Sequence, residues 1–237
     1  MIELLRGDRP VVKVGHRGAP TAAGDNTLES LAAAVELSFD AVEIDVLRVP
    51  SGRLVLAHDL AHADGAPALD DALELLARHD IGILLDLKGA GHELALAEAA
   101  RRHAVVERSF VSTASIASLR VLAAAEPALA RSLTYPDDRF GLTGRRVVRP
   151  VVSPALVAMR RALPYRLPRL VRRAGACAVT LNWNVVTAAV VARCHALAIA
   201  VYAWTVDDPA VAAALLRFGT DGIITDDPRI FDGLLTS

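Results

Sequence analysis

The amino-acid sequence predicts an α/β protein folded as a closed (β/α)8 TIM barrel. Three observations predict it. Short β-rich runs alternate with amphipathic or alanine-rich segments from end to end. Eight such β–α units fit into 237 residues, the length of one barrel. No G-x-G-x-x-G turn follows the first strand, which argues against an open dinucleotide-binding sheet.

The elements follow in order. Residues 11–18 (VVKVGHRG) read as the first strand and 26–37 as a helix. Residues 41–49 (AVEIDVLRV) form the second strand, with a strand-like appendix at 54–58. A helix over 69–79 leads to the third strand, 81–88 (IGILLDLK). A helix over 92–103 precedes a strand at 109–113, and a helix over 116–125 precedes a strand at 130–135. The last units are a strand at 177–183, a helix at 188–198, a strand at 200–206, a helix at 209–218 and a strand at 222–225. The pattern shows no domain boundary, so residues 1–237 read as one barrel domain. The connection 136–175 stands apart. It holds nine arginines from Arg145 to Arg173 and prolines at 150, 154, 164 and 168. It reads as a solvated helix pair over the barrel, or as a basic surface that meets anionic headgroups or membrane.

Hydrophobic residues make up 53% of the chain, enough for a large core. A net charge of −1 favours neither nucleic acid nor an acidic partner. Cys177 and Cys194 lack metal or redox spacing and are expected to be buried thiols in a reducing compartment. The opening MIELLRGDRP lacks the apolar run of a signal peptide, and Arg193 and His195 interrupt the most apolar stretch, 188–206. A cytoplasmic protein is expected.

Chemistry in such a barrel gathers at the C-terminal ends of strands, and ionisable residues recur there. The first strand ends in Gly15-His16-Arg17-Gly18, where flanking glycines permit close approach to a small anion and Arg17 offers a forked donor for phosphate. On the second strand Glu43 and Asp45, at i and i+2, share one face. Two buried carboxylates side by side call for a cation, and hard divalent ions prefer oxygen ligands. On the third strand Asp86 and Lys88 share a face in the same way. Asp86 is placed to complete a three-carboxylate site, or to pair with Lys88. Lys88 is placed to meet a phosphoryl oxygen; it is one of two lysines, with Lys13, against 24 arginines. His58-Asp59 brings a second histidine to the same rim, and two imidazoles suit acid–base work near neutrality. His62, His79, His92, His103 and His195 are given no role. Trp204 reads equally as a wall for the substrate's alcohol portion and as barrel-top core. Asp226 reads as the cap of the last helix.

In order, GHRGAP, NTLES, VEIDV, HD, LDLK, AWTVDDP and DGIITDDP resemble the glycerophosphodiester phosphodiesterases over nearly the whole chain. The resemblance implies a divalent cation, Mg²⁺ or Ca²⁺, and hydrolysis of a glycerophosphodiester to sn-glycerol 3-phosphate and an alcohol. It implies His16 and His58 as the acid–base pair. It implies Glu43, Asp45 and Asp86 as metal ligands, with Arg17 and Lys88 on the phosphate. The chain departs from the family pattern at three places. Asp86 stands where the family usually has Glu. Asp25 stands where Glu usually precedes Asn-Thr. The insertion after His-Asp is shortened, which leaves a more open pocket. A lysophospholipase D and a non-catalytic barrel that holds a phosphorylated ligand are the rival readings.

Overall fold

The structure is a computed structural model. It describes residues 2–136 and 149–232, with the backbone path alone for 149–156. Eight parallel strands close a barrel in the order β1 (Val12–Gly15), β2 (Ala41–Arg48), β4 (Gly82–Lys88), β5 (Ser109–Thr113), β6 (Ala130–Tyr135), β7 (Ala178–Asn182), β8 (Ala200–Trp204) and β9 (Gly222–Thr225). The β1–β2 and β1–β9 pairings close the ring. The appendix is a short strand, β3 (Leu54–Leu56), antiparallel to the end of β2. The predicted fold class is the observed one, and most strands begin or end within two residues of the expected positions.

Helices cover the wall: α1 (Pro20–Ala23), α2 (Leu28–Glu36), α3 (Leu69–Ala77), α4 (Glu93–Arg102), α5 (Ile116–Ala125), α6 (Arg149–Ala174), α7 (Ala188–His195) and α8 (Pro209–Phe218). Local chemistry sets their starts. Thr27 and Ser30 form a capping box on α2, while Ser115, Thr187 and Asp208 cap α5, α7 and α8 by accepting from backbone N–H groups. Pro209 fits the first turn of α8, and Gly219 ends that helix in the left-handed region at φ 85°.

Two layers of core follow from strand alternation. Outward-facing residues such as Val42, Ile44, Leu85 and Val111 pack under the helices. Inward-facing Val14, Leu84, Phe110, Tyr202 and Ile224 fill the lower barrel. Phe110 and Tyr202 meet there with ring centroids 5.1 Å apart. Gly222 is required beside them, because a Cβ would enter the Tyr202 ring.

One expectation, the burial of both thiols, changes. Of the expected helix pair over 136–175, residues 137–148 lie outside the described residues, and residues 149–174 form one long helix, α6, running through Pro164 and Pro168. Its inner face is buried at Leu163, Leu167, Val171 and Ala174, so apolar periodicity overrides the prolines. Arg145 and Arg146 lie outside the described residues, as does the side chain of Arg149. Of the two thiols only Cys194 is buried; Cys177 is exposed at the start of β7, its Sγ 3.5 Å from the Arg131 carbonyl oxygen. Among the described residues no helix is long and apolar enough to cross a membrane.

Candidate active site

Parallel register assembles the site. Asp45 on β2 pairs with Asp86 on β4, Asp86 with Ser112 on β5, and Ser112 with Ser132 on β6. Side chains at paired positions of a parallel sheet share a face. Glu43, Asp45 and Asp86 therefore converge at the mouth, and one oxygen from each lies within 4.8 Å of the others. Glu43 is 4% exposed and Asp45 0%.

The loop after β1 supplies the next groups. The backbone N–H of Arg17 donates to Glu43 Oε2 at 2.8 Å, and Arg17 sits in the left-handed region at φ 54°. Its guanidinium Nε lies 3.0 Å from Asp45 Oδ2, and its Nη1 donates to Asp25 Oδ2 at 2.8 Å. The flanking glycines have a packing reason. A Cβ on Gly15 would run into the Gly18 carbonyl, and a Cβ on Gly18 would run into Ser30 of α2. Their absence of a side chain lets the loop fold tightly on itself and against α2, which places His16 and Arg17.

His16 and His58 are held by different partners. His16 Nδ1 is 2.7 Å from Asp226 Oδ1. His58 Nδ1 is 3.1 Å from Arg17 Nη2 and 3.3 Å from Asp45 Oδ2. Lys88 Nζ lies 2.8 Å from Asp45 Oδ1 and also contacts Asp86, whose other oxygen accepts from Ser112. Both functions expected of Asp86 are thus geometrically present: it joins the carboxylate cluster and it pairs with Lys88.

The charges perturb one another. Burial, and then the neighbouring Asp45, push the Glu43 carboxyl up to about 8. Burial works against ionisation of Asp45 too, but His58, Lys88 and Arg17 outweigh it and hold that carboxyl well below its usual range. Burial alone would lower the proton affinity of His16; the Asp226 hydrogen bond and the Glu43 charge more than offset it, so it is raised. Lys88 is likewise raised against burial by Asp86, Asp45 and Glu43.

A divalent cation fits these residues. The donors are hard oxygens that converge within 4.8 Å, and Glu43 is a buried carboxyl beside a second carboxylate.

Three residues were assigned differently or passed over. Asp226 is no helix cap: Asp227 caps the final 3-10 turn through the Arg229 N–H, while Asp226 holds His16. The DDP sequence offers two candidate caps, and only the strand register decides which one faces the mouth. Asn26 was missed. At φ 55° it donates from Nδ2 to Asp45 Oδ2 at 3.0 Å and accepts the Asp45 N–H at 3.1 Å. Its signal was an Asn in a Gly-Asp-Asn-Thr turn, a residue that tolerates the left-handed region. Asp207 was also missed; it accepts from Thr225 Oγ1 at 3.0 Å and from the Asp226 N–H at 2.9 Å. Trp204 is half-buried, its ring fixed by an Nε1 hydrogen bond to the Thr180 carbonyl at 3.1 Å, and it packs on the inner core.

Comparison with known proteins agrees with this arrangement. Residues 16–126 and 99–230 match the model of the glycerophosphoryl diester phosphodiesterase family. The chain is 24% identical over 243 residues to a glycerophosphodiester phosphodiesterase of Caldanaerobacter subterraneus subsp. tengcongensis, covering 94% of this chain and 96% of that protein. Among solved structures it resembles an Oleispira antarctica phosphodiesterase in complex with the product sn-glycerol-3-phosphate (TM-score 0.75, 20% identity, 96% and 97% of the two chains). It also resembles a glycerophosphodiester phosphodiesterase of Thermotoga maritima (TM-score 0.69, 19% identity, 95% and 99%). These structural likenesses speak for the fold, and with the family match spanning most of its length the chain belongs to the glycerophosphoryl diester phosphodiesterase family.

Proposed function

We propose that this protein hydrolyses glycerophosphodiesters to sn-glycerol 3-phosphate and an alcohol, with residues 1–237 acting as one barrel domain. The observation that carries the reading is the meeting of three carboxylates, two imidazoles and two cations at one rim. Glu43, Asp45 and Asp86 would hold Mg²⁺ or Ca²⁺, which supplies neutralisation of phosphoryl oxygens and a template for in-line displacement. Arg17 and Lys88 share the charge that builds at phosphorus, Arg17 through its forked donors and Lys88 as a point charge.

His16 and His58 form the acid–base pair. Asp226 engages Nδ1 of His16, which leaves Nε2 for proton transfer and fixes the ring. His58 is anchored through its Nδ1 side as well. One imidazole takes the proton of the nucleophile while the other protonates the leaving alkoxide, a poor leaving group without that proton. Trp204 offers an apolar wall to the alcohol portion.

A second reading, a lysophospholipase D, rests on the open rim. After Asp59 the chain makes only a 3-10 turn, Leu60–His62, before α3, and Leu60 beside His58 is 61% exposed. The test is a panel of glycerophosphocholine, glycerophosphoethanolamine and lysophosphatidylcholine with Mg²⁺ or Ca²⁺. Release of sn-glycerol 3-phosphate from the water-soluble diesters supports the first reading. Turnover of lysophosphatidylcholine alone supports the second, and no turnover of any diester overturns both.

A further inference from the structure

Helix α6 concentrates positive charge in a chain whose net charge is −1. Its sequence holds seven arginines and no acidic residue. At 3.6 residues per turn, Arg161, Tyr165, Arg169 and Arg172 fall on one stripe, with Arg166 and Arg173 beside it. All six are exposed, while Leu163, Leu167, Val171 and Ala174 are buried on the opposite side. None of these five arginine side chains makes a hydrogen bond or ion pair among the described residues. Arginines on α3 and α4 behave differently: Arg78 follows and pairs with Glu74, Arg101 pairs with Glu98 and Arg102 with Asp70.

Two apolar groups interrupt the cations. Tyr165 is 75% exposed and Val157 44%. Contacts to duplex phosphates would use the cations alone. A bilayer interface uses both kinds of group: guanidinium forks engage lipid phosphates, and an amphipathic ring enters the headgroup layer. The helix itself is tied to the level of the mouth at Arg160, one residue before the stripe begins. Arg160 Nε donates to the Asn184 carbonyl at 2.6 Å, in the 3-10 turn Trp183–Val185 that follows the mouth end of β7.

We infer that the outer face of α6 docks this protein onto the surface of an anionic lipid bilayer. The docking is independent of the chemistry at the mouth. It holds the barrel at an interface, with Arg161, Arg169 and Arg172 on headgroup phosphates and Tyr165 among the headgroups.

Sedimentation of the full chain with vesicles tests this. Vesicles one-third phosphatidylserine should carry down the protein, and pure phosphatidylcholine vesicles should not. Raising salt from about 0.05 M to about 0.5 M should release it, because screening shortens the reach of surface charge. Replacing Arg161, Arg169 and Arg172 together by Gln should weaken binding about tenfold or more, while the triple Lys variant keeps most of it. Tyr165→Ser should weaken binding with little change in its salt dependence. Turnover of a water-soluble diester should match wild type in every variant. Negligible binding to both vesicle types would overturn the inference. So would a Gln triple variant that binds as wild type does, or binding to RNA without binding to anionic vesicles.

Discussion

The imidazole of His16 has its Nδ1 held by Asp226, so on the proposed reading the two residues should act as a unit. Changing His16 or His58 to Ala should leave the fold intact by circular dichroism and cut turnover by about two orders of magnitude or more. Near-normal rates in both variants would remove the pair from the reaction. Asp226→Asn is a finer test, because Asp226 touches His16 rather than substrate. Asp226 raises the proton affinity of His16, so losing its charge should lower that affinity. The limb of the pH–rate profile that reports His16 should move to lower pH, while KM changes little. A helix-capping role for Asp226 would instead lower the melting temperature and leave the profile in place. Residue types and strand-end positions alone pointed to His16, His58, Glu43 and Asp45; the two carboxylates in particular are costly to bury side by side without a use. Asn26, Asp207 and Asp226 were not legible in the same way. Polar residues in turns usually serve the local backbone, and only the three-dimensional register turns these toward a catalytic group.

At the scale of elements, β2 and β4 set the carboxylate cluster, because Asp45 and Asp86 occupy paired positions. The i, i+2 spacing on each strand announced the shared face in the sequence. The contact across strands depended on a register that sequence does not display. The register puts Asp86 within reach of both a cation and Lys88, and calorimetric titration of Mg²⁺ and Ca²⁺ separates the two functions. If Asp86 is a ligand, Asp86→Asn should weaken metal affinity, and Asp86→Glu should retain or tighten it by restoring a longer carboxylate. If Asp86 serves only Lys88, Asp86→Asn should lower stability and leave the titration unchanged. Strand positions were easier to read than α6. Parallel strands buried on both faces give continuous apolar runs, whereas α6 hides a buried face among prolines and arginines that individually argue against one long helix.

For the whole molecule, the barrel closes around a packed interior, and small residues decide how tightly it closes. Gly222 faces Tyr202, and any Cβ there must displace the ring or the strand. Gly222→Ala should therefore destabilise the protein by about 1–3 kcal/mol, the usual cost of overpacking, as read by urea unfolding. A loss below about 0.5 kcal/mol would mean that the ring yields without cost. The fold class was legible because β–α alternation repeats along the chain and leaves few topologies to choose from. The residues that tune closure were hidden, since a glycine inside a strand looks the same in sequence whether it faces a ring or empty space.

The antiparallel strand β3 gives His16 and His58 an asymmetric footing. His16 continues a closed ring: its N–H bonds to the Thr225 carbonyl at 2.9 Å. His58 instead follows a three-residue strand that pairs with the end of β2 on one side and is held on the other, among the described residues, only by a single bridge, Val55 to Ala68. Local opening free energies scale with how many neighbours must be released. The amides of residues 54–58 should then exchange with deuterium well before those of β1, β2 and β4. Equal protection would contradict this. On heating, His58 should withdraw from His16 while the ring is still closed; if the two form the proposed acid–base pair, inactivation should precede the global unfolding transition.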